Sequence, residues 1–296
     1  MSCRMATSCT SASVSKAPAA TALAAAALVA ALASPAGANP HDGPRLLEQA
    51  KAAKPERYQL AVRHHAQFIP MPDHRSFAVL WYPSDHPTTK PPMIVSLHGH
   101  GSWATDEFAM WFPYLEQRGY GFLAVQWWFG SGEDTSDYYT PQELYPQIEK
   151  LLSEEDVAPG TVLLHGFSRG ASNVYALTAL DRTQGSRFFL MALANSGGAS
   201  ENYRPNDKIT RGGFGATPFA GTDWAFFCGG RDPHPDRDGC PAMDRSRRWV
   251  EYLGGATVLF LDDQQADHGG FHRTPAHVEQ VLDLFAHVLK QGAREP

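Results

Sequence analysis

Apolar positions in this chain fall into short runs, separated by stretches whose apolar residues recur at helical spacing. Residues 58–69 and 76–82 alternate like two strands and are expected to pair antiparallel through the turn Pro70-Met71-Pro72-Asp73. Residues 93–97, 121–127, 161–165, 187–194, 222–228 and 256–261 also read as strands. Residues 106–118, 141–153, 169–181 and 243–253 read as helices. A terminal helix over 275–290 carries Val278, Val281, Leu282, Phe285, Val288 and Leu289 on one stripe. Apolar runs without alternation belong to strands buried on both faces, which is the habit of a parallel sheet. Strands alternating with helices after an opening hairpin predict an α/β fold, with a mostly parallel central sheet of about eight strands and helices on both faces. The sequence has no internal repeat and no interdomain linker. Its one long Gly-rich interruption, 196–221, has room for a flap but not for a large cap domain.

Residues 1–38 stand apart from this pattern. Arg4 and Lys16 are the charges of this segment, 19–32 is an Ala-rich apolar run, and Ala36-Gly37-Ala38 offers a small-residue cleavage site before Asn39. That is the layout of a secretory signal peptide over 1–38, leaving 39–296 as the mature catalytic domain. The run is too short and too rich in alanine for a membrane span. Cys3 and Cys9 fall in the leader, whereas Cys228 and Cys240 form an even pair around a loop rich in Gly, Pro and Asp. In the oxidising compartment that export reaches, secreted or periplasmic, that pair is expected to form a disulfide. The chain carries a formal net charge of −6, and the two cations of the leader leave the remainder more acidic still. Such a surface argues against nucleic acid or an anionic membrane as the main partner.

Chemistry enters with Gly166-Phe167-Ser168-Arg169-Gly170, set between the strand 161–165 and the helix that follows it. Strand, Gly-x-Ser-x-Gly, helix is the arrangement of a nucleophile elbow, in which a tight turn lifts the serine hydroxyl out of the sheet. A serine hydroxyl needs a base within reach and an acid to orient that base. The expected chain order is serine, acid, histidine. Asp232 is the acid chosen here, just past the strand 222–228, with Asp236 and Asp238 as rivals in the same loop. His268, after the last strand in Asp267-His268-Gly269-Gly270, is the base, with His272 as its rival. The oxyanion hole is expected from the Arg169 N–H and from His98-Gly99-His100-Gly101, through the amide of His100 or of Gly101.

Taken together, Gly166–Gly170, His98–Gly101, Asp232 and His268-Gly269 resemble the α/β-hydrolase superfamily over essentially the whole of 39–296. The compact form resembles secreted carboxylesterases of the feruloyl esterase, acetyl xylan esterase and polyhydroxyalkanoate depolymerase kind. The resemblance implies acyl transfer through an acyl-enzyme on Ser168, without a cofactor, acting on a small-molecule or polymer-linked ester. Arg169 departs from the small residues common after the nucleophile. Its side chain can bond across the pocket, meet an anionic substrate group or form a structural salt bridge. A serine peptidase of the same fold and a catalytically idle binding protein are the competing readings. Trp103 and Trp128 are candidate pocket walls, while Trp111 and Phe112 read as core.

No metal site is expected. His98 and His100 lack a third ligand at a recognisable spacing. The partial calcium loop from His234 has Arg245 at position twelve, where a carboxylate is needed.

Overall fold

The computed structural model describes residues 42–84, 90–199 and 203–292. The expected signal peptide, 1–38, lies outside the described residues. In chain order the elements are α1 (Gly43–Ala53), α2 (Pro55–Arg63), β1 (Gln67–Pro70), β2 (Phe77–Trp81), β3 (Met93–Leu97), α3 (Ala104–Arg118), β4 (Gly121–Val125) and α4 (Pro141–Glu154). They continue with β5 (Val162–Phe167), α5 (Arg169–Thr183), β6 (Phe189–Asn195), α6 (Arg204–Thr210), β7 (Asp223–Gly229), α7 (Cys240–Tyr252), β8 (Ala256–Asp263), α8 (Gly270–Arg273) and α9 (Pro275–Gly292).

The sheet has eight strands in the order β1-β2-β4-β3-β5-β6-β7-β8. β1 and β2 run antiparallel, β2 is antiparallel to β4, and every later pairing is parallel. All five residues of β3 and of β4 are buried, as strands covered on both faces must be. The α9 stripe Val278, Val281, Leu282, Phe285 and Val288 is buried, and each such side chain contributes about 1.5–3 kcal/mol when taken from water.

Strand order also decides where a site can form. From β3 the chain crosses to β4 on one side, and β5 then takes the place on the other side. Connections that diverge from adjacent strands leave a crevice beyond their carboxyl ends. The loop after β3 and the turn after β5 both open into it.

One predicted strand is wrong in part. The stretch from Tyr58 to Arg63 is helical, within α2, and only 67–70 pairs with β2. Pro55 stands in the first turn of α2, where its fixed φ starts a helix and its missing N–H is not needed. The hairpin itself is present, closed where Met71 N donates to Ser76 O at 2.9 Å. The segment 196–221 is not bare loop, since α6 lies within it and buries Asn206 and Ile209. α8, which follows β8, is a further element without an apolar pattern of its own.

Candidate active site

The turn after β5 is possible only with the glycines it has. A Cβ on Gly166 would lie 2.5 Å from the carbonyl carbon of Gly170, and one on Gly170 would lie 2.4 Å from Leu97 O. Ser168 between them is held at φ 54°, a conformation that strains any residue with a side chain by about 1–3 kcal/mol. Its amide donates to Asn195 O at the end of β6, at 2.8 Å, which locks the turn to the neighbouring strand. Arg169 is the first residue of α5, so its N–H has no acceptor within the helix.

Ser168, His268 and Asp232 meet in a line. The Ser168 hydroxyl donates to His268 Nε2 at 2.8 Å, and His268 Nδ1–H donates to Asp232 Oδ2 at 2.6 Å. The second oxygen of Asp232 accepts the His234 amide at 2.8 Å, which fixes the carboxylate in its loop. The rivals are bonded differently, although the Asp238 carboxylate is buried within 4.8 Å of both Asp232 and His268. The Asp238 carboxylate accepts from Arg237 at 2.7 Å, and Asp236 offers its carbonyl to Arg245. His272 packs edge-on against Trp111, and burial lowers it to about 3. Cys228 and Cys240 are bridged, with their Cα atoms 4.9 Å apart, and so tie the end of β7 to the start of α7 across the Asp232 loop.

The loop after β3 is braced by an internal latch. His98 Nδ1–H donates to Gly99 O at 2.8 Å, while Nε2 accepts the Trp127 amide at 3.3 Å. Both ring nitrogens are thereby taken, and burial lowers His98 to about 4, so it stays neutral and braces the loop without binding a metal. Gly101 stands at φ 58° and its amide donates to Tyr138 Oη at 3.3 Å. Tyr138 Oη also lies 2.9 Å from His100 Nδ1.

Arg169 forms no ion pair among the described residues. It donates to His100 Nδ1 and to Glu133 O, each at 2.9 Å, and its guanidinium lies 4.1 Å from the centre of the Tyr138 ring. The salt bridge considered for it from sequence is replaced by bonds across the site.

A cavity of about 690 Å3 opens beside Arg169, walled by Trp127, Tyr138 and, from the segment that carries α6, Tyr203. Its size suits a small organic ligand. Trp103 and Trp128 do not line this cavity. They pack on each other at 5.2 Å, and the Trp128 indole donates to Gly132 O at 3.1 Å. Trp111 is fully buried, as a core residue should be. Tyr138 and Tyr203 were not foreseen, because nothing local marks a tyrosine that the fold carries to a site from another loop.

Beneath the elbow lies a second cluster. Ser96 donates to Glu107 Oε2 at 2.5 Å and lies 2.8 Å from His165 Nδ1, and all three residues are fully buried. Burial raises Glu107 to about 7 and lowers His165 to about 3.

By sequence, the chain matches no protein-family model and no curated protein. By structure it is similar to esterase B from Lactobacillus Rhamnosis (HN001), with 12% identity, 84% of this chain and 96% of that one covered, and a TM-score of 0.52. It is similar to the esterase of Pyrobaculum calidifontis, with 13% identity, 86% and 95% covered, and a TM-score of 0.56. It is also similar to the butyrate-bound esterase Est2 of Thermogutta terrifontis, with 16% identity, 76% and 94% covered, and a TM-score of 0.54. The sheet order, the elbow after β5 and these likenesses together show that the chain has the α/β-hydrolase fold.

Proposed function

We propose that the protein is an exported serine hydrolase that cleaves carboxylic esters, with Ser168 as nucleophile, His268 as base and Asp232 as orienting acid. One observation carries the reading. A serine on a strained elbow lies 2.8 Å from an imidazole that is itself bonded to a carboxylate at 2.6 Å. Ser168 Oγ attacks the ester carbonyl as its proton passes to His268 Nε2. Asp232 holds Nδ1–H and stabilises the imidazolium. The tetrahedral oxyanion is received by the N–H groups of Arg169 and His100, the Gly101 amide being engaged by Tyr138. His268 then gives its proton to the departing alkoxide, leaving an acyl-Ser168. A water that passes a proton to His268 hydrolyses the acyl-enzyme and frees the acid.

Export belongs to the same reading. The bridge Cys228–Cys240 supports it, because such bonds persist in oxidising compartments. No helix among the described residues is long and apolar enough to cross a membrane. A mature N-terminus at Asn39 is the expected product of leader removal.

The deciding experiment is hydrolysis of p-nitrophenyl esters, acetate to palmitate, by wild type and by Ser168→Ala, with fluorophosphonate labelling alongside. Serine-dependent turnover and a label on Ser168 are expected. Folded wild-type protein that turns over no ester and takes no label would sink the reading.

A further inference from the structure

The cavity beside Arg169 has a charge balance unlike that of the protein around it. The chain as a whole is acidic, at −6. The cavity lining, in contrast, carries Arg169, Arg204, Lys208 and Arg211 against a single acid, Asp207. Arg211 Nε donates to Asp207 Oδ1 at 2.9 Å, so that pair cancels. Three positive charges remain. Arg169 is held by neutral acceptors, an imidazole nitrogen and a backbone carbonyl, so its charge is not compensated by a carboxylate. Lys208 faces the Phe214 ring at 4.8 Å, another neutral partner. Arg204 forms no ion pair among the described residues. On the facing loop, the Asp137 carboxylate is occupied by the Asp134 amide at 2.9 Å.

The walls are aromatic as well as cationic. Trp127, Tyr138, Tyr139 and Tyr203 face the same space. Rings offer flat apolar contact to a planar group, and arginine bonds a carboxylate through two parallel N–H donors. The cavity borders the chemistry through two of its lining residues, while Ser168 and His268 themselves lie outside the lining. Arg169 follows Ser168 in the chain, and Tyr138 joins the cavity wall to the amide of Gly101.

Resting on the ester-hydrolase reading above, we propose that this cavity selects esters bearing a second, ionised carboxylate on an aromatic ring. The ring lies against the tyrosines, and the carboxylate is met by Arg204, Lys208 and Arg169. The chain's net charge is negative, so long-range attraction does not by itself bring such a molecule to the protein.

The test pairs turnover with binding. The kcat/KM for 4-acetoxybenzoate is compared with that for methyl 4-acetoxybenzoate, using wild type and the double variant Arg204→Gln/Lys208→Gln. Both substituted residues are exposed, so folding is expected to survive. The methyl ester has the intrinsically better leaving group, so any preference for the anion belongs to the protein. Wild type is expected to favour the anion by about tenfold or more, and the double variant to lose most of that ratio. In parallel, calorimetry compares binding of 4-hydroxybenzoate and 4-hydroxybenzamide to the same two proteins. Tighter carboxylate binding that vanishes in the double variant and weakens with salt supports the anion site, whether or not either ester is turned over. If both esters remain uncleaved, the hydrolase reading falls separately. Equal binding of acid and amide by wild type, or an anion preference untouched by the double substitution, overturns the proposal and leaves esterase activity to stand on its own assay.

Discussion

Among the described residues two sets of serine, histidine and acid come together, and one of them faces the crevice. In Ser168–His268–Asp232 the histidine side chain is 27% exposed and lies between the other two, bonded to each through a different nitrogen. In Ser96–His165–Glu107 the histidine is 0% exposed, and the serine is the central member, donating to the acid. The order of partners decides the chemistry. Where histidine is central it can take a proton from the serine while the acid steadies the charge. Where serine is central its proton is already committed to a carboxylate, and the histidine is held neutral by burial. Residue types alone do not make a nucleophile. Connectivity and access do.

The largest expected contrast comes from removing each serine. Ser168→Ala should lower ester turnover by on the order of a million-fold, leaving only what the binding groups supply. Ser96→Ala should leave turnover within the same order of magnitude. It should lower the melting temperature by several degrees, since unpairing a buried acceptor costs about 1–3 kcal/mol. Comparable activity loss in both variants, in folded protein, would erase the distinction.

The acids should differ next. Asp232→Asn is expected to cut kcat by on the order of ten-thousand-fold by favouring the wrong imidazole tautomer. Glu107→Gln should leave kcat almost unaltered and act on stability. Burial raises Glu107 from 4.5 to about 7, so its contribution is present below pH 4.5 and lost as pH rises through 7. The Gln variant cannot ionise there, so its stability relative to wild type should climb between those pH values. A flat difference in denaturant titrations would contradict that.

A smaller effect follows from the neutral buried histidines. His98 falls from 6.5 to about 4, and His165 and His272 each fall from 6.5 to about 3, chiefly through burial. Their contribution is present above pH 6.5 and lost as pH falls toward those values. Three such groups outweigh the opposing Glu107 between pH 4.5 and 6.5. The melting temperature should therefore drop by on the order of 10–20 °C from pH 6.5 to 4.5, read by calorimetry.

A change confined to stability is expected from Cys228→Ala/Cys240→Ala. Closing so short a loop contributes about 3 kcal/mol, so thermal unfolding should move down by several degrees. Heat should also separate the two clusters, with activity lost before the buried set is exposed.

The fold was legible because its signals are local. Met93–Leu97 is an unbroken apolar run, and it is β3 to the residue. Gly166 and Gly170 are demanded by contacts within a few residues of one another or by the next strand. Tyr58–Arg63 misled because its apolar residues fit alternation and helical spacing alike, and Pro55 is what tips it into helix. That Ser168, Asp232 and His268 would meet could be read from chain order, because each follows a strand of the same parallel sheet. Tyr138, Tyr203 and the pairing of Ser96 with Glu107 and His165 could not. They meet only when separate crossovers pack, and a sequence holds no local mark of that. Trp103 and Trp128 were close in sequence to the right loops, but they pack on each other and leave the cavity to Trp127.

The bond between Ser168 and His268 joins positions 100 residues apart. A growing chain that has reached Ser168 already holds the elbow serine and the loop after β3, and one that has reached Asp232 holds the carboxylate too. The imidazole that joins them is missing until β8 has been made. A chain cut short before His268 therefore carries the strained serine turn without the partner that its hydroxyl bonds.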